Sequence, residues 1–384
     1  MQLSNERINE LRVAYLSNST LPSRQANSVH VVNMAAAMVQ NGCDVELWAY
    51  PDLSDNREMS AKEIADFYGV SPGFSLHYIR ELNVPARSTL GALALAYSMR
   101  RRRDIDLVLG RHPKGCAFAA LAGCRVLFET HQPVSWFPIV DRVLVRVAMA
   151  CKAYIGIVTI SQPLMDILRE ETGMQGDKFL VAHDGATVNQ GIIAQVLGPA
   201  ERLQVGYIGH LYPGRGVDVV VQLAHRLPSI DFHLIGGTEA DINDWSGRIS
   251  DLSNITLHGF VSPADASAMR LGCDVLLAPY QNDTSIPGGR VTTQWMSPLK
   301  VFEYMAAGKA IIASDLSVLR EVLRPDENCL LVPPEDVDGW ESAVRVLEED
   351  SALRSRLGLV AQDDFDSHYT WQKRATNMVD FAVS

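Results

Sequence analysis

The sequence has no cysteines arranged in pairs. Its six cysteines are scattered, and no two stand at the spacing of a metal site or a redox motif. Most of them lie inside apolar runs, which is typical of reduced cysteines in a cytoplasmic protein. The first residues, Met1–Arg7, are polar and charged and lack the apolar stretch of a signal peptide. The expected location is therefore the cytoplasm.

Long uncharged hydrophobic runs and an excess of positive charge are also missing. The longest candidate for a membrane span, Val143–Ile160, contains Arg146 and Lys152, and a helix followed by a buried strand explains it better. The chain carries 34 Lys and Arg against 45 Asp and Glu, a net charge of -11. Because nucleic-acid binding requires cations that neutralise phosphates, this balance argues against nucleic acid as a partner.

What the sequence does have is the pattern of two α/β domains. Its 384 residues exceed a single ordinary core, and 47% of them are hydrophobic. Short apolar runs alternate with amphipathic helical stretches, first in one half and then in the other, as in βαβ units with a parallel sheet. The predicted domains are residues 1–190 and 200–363. The last helix, within 364–384, is expected to return to the first domain.

The turn after the first predicted strand is unusually long. Ser17–Asn27 has 11 residues, whereas a typical βα loop has about 2–6. It includes Ser23, Arg24 and Asn27, and Ser28 is the predicted cap of the helix that follows. Turns at the carboxyl ends of parallel strands form the ligand crevice, so this loop is a candidate for binding an acceptor. A tolerated surface loop is the alternative, and both interpretations stay open.

A glycine-rich turn opens the second domain. Gly206–Gly216 contains Gly209, His210 and Arg215. Glycine lets a backbone approach a ligand closely, and the Arg215 guanidinium suits phosphate. The turn matches neither the dinucleotide pattern nor the P-loop. Taken alone, it fits a purely structural turn as well as a phosphate site.

The segment Ser297–Lys309 is the most informative. Ser297 is the predicted N-cap of a short helix that Gly308 ends. Lys300 in the first turn conflicts with the helix dipole, and a bound anion would remove that conflict. Glu303 lies one turn further on the same face, where its carboxylate could accept hydrogen bonds from the two hydroxyls of a ribose. The alternative is an exposed ion pair between Lys300 and Glu303.

These motifs occur in a characteristic order. After the turn with Arg215 come Gly236-Gly237, His258-Gly259-Phe260, Pro279-Tyr280, Ser297–Glu303 and the polar turn Asp326-Glu327-Asn328. The series resembles family 4 of the retaining glycosyltransferases, over nearly the whole chain. The resemblance implies the GT-B fold, in which two Rossmann-like domains with parallel sheets face a central cleft. The second domain would hold most of a nucleotide-sugar donor.

The resemblance also implies roles for individual residues. Glu303 matches the second glutamate of the family's E-x7-E motif and would hold the donor ribose. Leu299 and Lys300 lie in the stretch that contacts the donor phosphates, and Arg215 matches the basic residue of the phosphate-binding turn. His131, in Phe128–His131, matches the active-site histidine of the first domain. The catalytic candidates are His131, Arg215 and Lys300; the donor-binding candidates are Gly209, His210, Arg215, Phe260, Ser297, Leu299, Lys300 and Glu303.

Two positions depart from the family pattern. Trp295 stands eight residues before Glu303, where the first glutamate of the motif is expected, and no acid lies between Asp283 and Glu303. His210 stands at the first basic position of the phosphate turn. The residues that contact the donor sugar are therefore not identified by the motif. Arg215 and Lys300 are expected to bind the diphosphate.

The implied reaction moves a sugar from a UDP-sugar, or less favourably a GDP-sugar, to an acceptor hydroxyl with retention. A sugar or a lipid-linked molecule is the expected acceptor, in polysaccharide or glycolipid synthesis. Since no clear Asp-x-Asp site is present, activity without a metal or other cofactor is expected. Two rivals remain, a nucleotide-sugar 2-epimerase and a non-catalytic protein that binds nucleotide-sugars.

The run Arg100–Arg103 follows a helical segment. It could meet anionic lipid and so place the protein at the inner face of the membrane. A solvated helix end, helped by the helix dipole, is the alternative.

Overall fold

The computed structural model describes residues 11–52, 57–79, 87–102, 104–188, 191–283 and 291–384. The chain divides into two compact units. Unit 1 comprises Met1–Asp184 and Trp371–Ser384, and unit 2 comprises Gly185–Thr370. The divisions therefore fall after residues 184 and 370, whereas the sequence suggested 190 and 363.

Unit 1 is built on a seven-stranded parallel sheet. Its strands are β1 Arg12–Leu21, β2 Asp44–Pro51, β3 Ser75–Tyr78, β4 Leu107–Gly110, β5 Val126–Thr130, β6 Tyr154–Thr159 and β7 Phe179–Val181. Its helices are α1 Ala26–Gln40, α2 Ala61–Tyr68, α3 Arg87–Arg101, α4 Pro113–Leu121, α5 Ile139–Met149, α6 Gln162–Thr172 and, from the end of the chain, α13 Trp371–Val383. Short 3₁₀ turns occupy Val134–Trp136 and Gly176–Lys178.

Unit 2 has a six-stranded parallel sheet. Its strands are β8 Gln204–Ile208, β9 Asp231–Ile235, β10 Ile255–Gly259, β11 Val275–Ala278, β12 Ala310–Ser314 and β13 Leu330–Val332. Its helices are α7 Val217–Arg226, α8 Glu239–Arg248, α9 Pro263–Gly272, α10 Leu299–Ala306, α11 Val337–Glu349 and α12 Ser351–Asp364. A 3₁₀ turn lies at Leu319–Glu321, and a π-helical turn, Phe365–Tyr369, follows α12.

Both sheets are doubly wound. The strand orders are β3-β2-β1-β4-β5-β6-β7 and β10-β9-β8-β11-β12-β13. The order reverses between β1 and β4 in unit 1 and between β8 and β11 in unit 2. In open α/β sheets, ligands bind at the carboxyl ends of the strands at such a reversal. Each unit thus has one place where a site is expected.

Apolar residues cover both faces of each sheet. In β8, Val205 and Tyr207 enter one apolar cluster, while Ile208 enters the other. β11 alternates in the same way, with Leu277 on one face and Leu276 on the other. Successive side chains of a strand point to opposite faces, so a strand buried on both faces is a continuous apolar run. This explains why the central strands could be predicted from short apolar runs.

The loop predicted at Ser17–Asn27 is shorter than expected, so that prediction was wrong: Ser17–Leu21 belongs to β1, and only residues 22–25 lie between β1 and α1. β1 continues to Leu21, with Thr20 beside Tyr50 of β2 after a register irregularity. α1 begins at Ala26, and its N-cap position is Gln25, not Ser28. The Ser28 hydroxyl donates to the carbonyl of Thr20 at 3.0 Å. Pairing with β2 extends this polar stretch as a strand, which local sequence did not indicate.

Within the described ranges, the helices are all too short or too polar to cross a bilayer.

Candidate functional site

A buried carboxylate lies at the carboxyl end of β5 in unit 1. Glu129 is 1% exposed. One of its oxygens lies 2.8 Å from Nε2 of His131, 2.8 Å from Nε2 of His30 and 3.0 Å from a guanidinium nitrogen of Arg374. The other accepts a hydrogen bond from the Tyr15 hydroxyl at 3.2 Å. Helices α1 and α13 thus bring two partners to a residue that β5 supplies.

His30 links Glu129 to a second buried carboxylate. Its Nδ1 lies 2.9 Å from an oxygen of Asp184, so both ring nitrogens face carboxylates. Arg374 is equally buried and donates from Nε to the carbonyl of His183 at 3.0 Å. We call Glu129, Asp184, His30, His131 and Arg374 the carboxylate cluster. Buried charges are tolerated when they are paired, as Glu129 is with Arg374 at 3.0 Å.

The surroundings of Glu129 and His131 shift the pKa of each group. Burial alone would raise the pKa of Glu129, but Arg374 and His30 hold it well below its usual range. Burial, followed by the positive charge of Arg111, lowers the pKa of His131 to about 4. Neutral His131 donates to Glu129 through Nε2, which leaves Nδ1 as a hydrogen-bond acceptor. A substrate hydroxyl is a suitable donor for that atom.

Arg111 is a cation beside this cluster. It follows β4 at the point where the strand order reverses. Its charge acts on both Tyr15 and His131. Its Nη1 atom is buried, and across the described ranges its guanidinium has no hydrogen bond or ion pair. An unsatisfied buried donor costs about 1–3 kcal/mol, so an anionic ligand group would stabilise this position.

The ligand atoms of His30, Glu129 and His131 lie within 4.8 Å of one another, which is the reach of a metal site. However, Arg374 already contacts the same Glu129 oxygen at 3.0 Å. A fixed guanidinium supplies the positive charge that a metal would bring and would repel a cation. These residues fit a network of charge-assisted hydrogen bonds better than a metal centre.

In unit 2, α10 begins later than the sequence indicated. Its first residue is Leu299, and Pro298 occupies the N-cap position without a side-chain cap hydrogen bond. The prediction that Ser297 caps this helix was therefore wrong, because Pro298 is still in the extended region, with φ -76° and ψ 118°. Gly308, with φ 63°, ends the helix as predicted.

Lys300 points inward from the first turn of α10. Its buried Nζ lies 3.9 Å from the ring centroid of Tyr207 and 4.9 Å from that of Tyr280. Across the described ranges it has no hydrogen-bond partner. Burial, followed by the charge of Arg215, lowers its pKa well below the ordinary value. Aromatic faces attract a cation but do not satisfy its donors, so this ammonium is suited to an incoming anion.

The turn after β8 lies against Lys300. A Cβ built on Gly209, whose φ is 149°, would be 3.0 Å from Nζ of Lys300. His210 follows this glycine. Partial burial of its ring, and then the positive charges of Arg215 and Lys300, lower its pKa. Arg215 stacks on Tyr280, with 5.6 Å from its guanidinium carbon to the ring centroid. The structure thus brings Gly209, His210, Arg215 and Lys300 together.

Glu303 is not paired with Lys300. An oxygen of Glu303 lies 3.0 Å from a guanidinium nitrogen of Arg270, whose side chain is 5% exposed. The side chain of Glu303 itself is 37% exposed. The exposed Lys300–Glu303 ion pair considered from the sequence is therefore wrong. One Glu303 oxygen is held by α9, and the partly exposed carboxylate can still accept hydrogen bonds from a ligand.

The remaining candidates lie on other segments of the two units. Phe260 follows β10 and is 54% exposed. Ser23 is held by Tyr68, whose hydroxyl donates to the Ser23 carbonyl at 2.6 Å. Arg24 is exposed, and Asn27 lies in the first turn of α1.

Sequence analysis missed His30, Arg270 and Arg374. One signal was present for Arg374: it lies on the buried stripe of α13, between Trp371 and Met378. A charged residue on an apolar stripe predicts a buried partner.

Two family descriptions match the chain. "Glycosyltransferase Family 4" matches residues 28–190, and "Glycosyl transferases group 1" matches residues 202–350. Together they span most of the sequence. The chain belongs to the family 4 glycosyltransferases.

Curated relatives of this family 4 glycosyltransferase align over part of their length. The phosphatidyl-myo-inositol mannosyltransferase of Mycolicibacterium smegmatis is 32% identical over 181 residues, which is 45% of this chain and 43% of that protein. The D-inositol 3-phosphate glycosyltransferase of Stackebrandtia nassauensis is 22% identical over 47% of this chain and 41% of that protein. The matches therefore span under half the length of these relatives.

Solved structures share the fold. Anabaena HepE in complex with UDP has a TM-score of 0.69 at 13% identity, and covers 96% of this chain and 99% of that one. A glycosyltransferase from Rickettsia africae has a TM-score of 0.72 at 12% identity, over 97% and 98% of the two chains. The two parallel-sheet units of this family 4 glycosyltransferase thus have the predicted GT-B fold.

Proposed function

We propose that the protein transfers a sugar from a UDP- or GDP-sugar to an acceptor hydroxyl, with retention at the anomeric carbon. The observation that carries this proposal is the paired positive charge of Lys300 and Arg215 at the strand-order reversal of unit 2. Arg215 and Lys300 share the ring of Tyr280, and the charge of Arg215 helps to lower the pKa of Lys300, so an arriving anion favours the charged form of the lysine. A donor diphosphate is such an anion.

The reaction breaks the bond between the anomeric carbon and a diphosphate oxygen and forms a bond to the acceptor oxygen. Negative charge develops on the departing diphosphate. Lys300 and Arg215 stabilise that charge in a partly desolvated place, where fixed cations act more strongly than in water. These cations can take the role that a metal has in other transferases, so activity without added metal is expected. Chelation that abolished turnover, with recovery on adding Mn²⁺ or Mg²⁺, would contradict this.

The Glu303 carboxylate is the proposed partner of the donor ribose, as the family motif implies. Arg270 holds one oxygen at 3.0 Å, which fixes the direction in which the carboxylate accepts further hydrogen bonds. Gly209, His210, Leu299, Ser297 and Phe260 are the remaining proposed donor contacts. The sugar end of the donor lacks the first motif glutamate, and buried Trp295 stands there instead.

The acceptor is proposed to meet unit 1. Nδ1 of His131 would accept a hydrogen bond from a hydroxyl, and Arg111 would receive an anionic group of the same molecule. A sugar phosphate or a phosphate-bearing lipid has both features. The names of the curated relatives, which act on inositol derivatives, support an acceptor of this kind.

One assay separates this function from its rivals. Purified protein is incubated with a panel of UDP- and GDP-sugars, with and without a cell lipid extract, and nucleotide release and sugar identity are followed. Transfer predicts nucleotide release that requires the acceptor. Conversion of the donor sugar without acceptor would indicate a 2-epimerase, and binding without either change would indicate a non-catalytic sugar-nucleotide protein. Both results would contradict the proposal.

A further inference from the structure

Helix α5 of unit 1 exposes its apolar side. Ile139, Val140, Val143 and Val147 are 60%, 50%, 52% and 51% exposed. Their spacing of three and four residues places them on one side of the helix. A surface helix ordinarily turns polar residues outward, so this side is unlike a solvated face.

The same feature continues on the neighbouring helices. On α3, Leu90, Leu93 and Tyr97 are 42%, 43% and 60% exposed at a spacing that forms one stripe. Leu121, at the end of α4, is 44% exposed. α3 packs on α4, and α4 packs on α5. We call the exposed apolar sides of these three helices the three-helix face. Scattered apolar residues are normal on a surface, whereas apolar stripes on neighbouring helices indicate an interaction site.

The part of the chain that carries this face is rich in positive charge. Residues 87–153 contain eleven Lys and Arg but four Asp and Glu, in a chain whose net charge is -11. Arg142 and Arg146 lie one turn apart along the edge of the apolar side of α5, and exposed Arg101 lies over the ring of Tyr97. The acid of α5, Asp141, is largely buried beside Lys114 at 3.3 Å. The face therefore combines apolar side chains with a cationic rim.

The arginine run noted in the sequence is largely occupied elsewhere. Arg100 donates to the carbonyl of Ala122, and Arg102 pairs with Glu46. Arg103 lies outside the described residues. Arg146 donates to the carbonyl of Glu171 at 3.3 Å, but its side chain is exposed. The cations near the apolar side chains are thus Arg101, Arg142 and Arg146, and not the run as a whole.

We propose that the three-helix face docks on the surface of an anionic lipid bilayer. The apolar side chains enter the membrane–water interface, and the arginines contact lipid phosphates. Interfacial helices bind membranes by this combination of apolar burial and electrostatic attraction. A second copy of the chain is a poorer partner, because two cationic faces would repel each other. The proposal does not rest on the transfer reaction, since binding can be measured without donor or acceptor.

The test is flotation of the full chain with vesicles of phosphatidylcholine alone or with phosphatidylglycerol added. We expect binding to the anionic vesicles, weaker at high salt because the charge is screened. The double substitution Val143→Glu/Val147→Glu should reduce the bound fraction about tenfold or more, since charge removes interfacial insertion. Arg142→Gln/Arg146→Gln should weaken binding to anionic vesicles and reduce its salt dependence.

A matched control uses exposed apolar residues outside the face. Val346→Glu/Leu359→Glu, at positions that are 45% and 65% exposed in unit 2, should bind like the unaltered protein. Leu93→Glu/Tyr97→Glu repeats the test on α3 if the α5 variant fails to fold by circular dichroism. No binding to anionic vesicles at low salt, or equal loss in the control, would overturn the proposal. So would a dimer in sedimentation without lipid that the α5 variant abolishes.

Discussion

The two units place opposite electrostatic arrangements near the carboxyl ends of their parallel strands. In unit 1 the carboxylate of Glu129 is surrounded by donors from His30, His131 and Arg374, and its charge is matched. In unit 2 the ammonium of Lys300 has aromatic faces around it and no hydrogen-bond partner within the described residues. The charge of Glu129 is thus matched without a ligand, whereas a ligand would supply hydrogen-bond partners to the Lys300 nitrogen. Removing a charge should therefore have opposite consequences for folding in the two units.

The largest expected effect is on unit 1. Arg374→Met leaves Glu129 without its strongest cationic partner, and breaking a buried pair by removing one side costs about 3–5 kcal/mol. The free energy of unfolding, measured in urea by circular dichroism, should fall by about that amount. The control is Arg345→Met, in an exposed pair with Glu341, which should change little. Equal losses in the two variants would show that the cluster does not depend on this pair.

The next effect distinguishes unit 2. Lys300→Met removes a buried ammonium that has no partner, so the free energy of unfolding should not fall. Binding of UDP or GDP should weaken by about 10–100-fold, since a hydrogen bond to a charged group contributes about 1.5–3 kcal/mol. Isothermal titration calorimetry measures both nucleotides. Lys62→Met, at an exposed pair with Asp66, is the control and should bind like the unaltered protein.

A smaller effect tests the ribose contact. In Glu303→Gln, the amide oxygen can still accept from Arg270, so folding should be preserved. Loss of one charged acceptor should weaken UDP binding by about tenfold, or about 1.4 kcal/mol. Inorganic pyrophosphate, which has no ribose, should bind as before. Equal weakening of both ligands would place Glu303 at the phosphates, and unchanged binding of both would remove it from the site; Glu349→Gln is the control.

The smallest expected effect is the uptake of a proton when a diphosphate binds. The pKa of Lys300 is lowered in the free protein, and a bound diphosphate favours the charged ammonium, so binding should take up a proton. The sign follows: affinity rises as pH falls from the ordinary lysine pKa of about 10.4 towards the lowered value. Calorimetry at about pH 8 in buffers of different ionisation enthalpy measures the uptake. Lys300→Met should show none; uptake that persisted in this variant would assign the proton to another group.

Sequence analysis predicted most of the architecture. Strands β8 and β11 could be recognised in the sequence because each is a short run buried on both faces of its sheet. Local patterns were insufficient where pairing or packing decides the outcome. β1 extends through Ser17–Leu21 because β2 pairs beside it, and Pro298 remains extended where a helix start was expected.

The site contacts were less predictable. The Lys300–Glu303 pair seemed reasonable because residues three apart are neighbours on a helix. In the structure Lys300 lies against the rings of Tyr207 and Tyr280. Glu303 instead pairs with Arg270, which is 33 residues from it along the chain. Arg374 and Glu129 are 245 residues apart, and no local pattern joins them. Spacing along a helix shows which neighbours a side chain can reach, but it does not show which distant residues the fold will bring to that side chain.

The position of Arg374 has a consequence for synthesis of the chain. Unit 1 is interrupted in sequence by the whole of unit 2, and the guanidinium that neutralises Glu129 belongs to α13. A ribosome adding about 5–20 residues per second completes unit 2 before that helix exists. Unit 2 can therefore reach its native state first, while Glu129 still lacks the guanidinium of Arg374. Final packing of unit 1 must therefore wait until residues 371–384 have been synthesised.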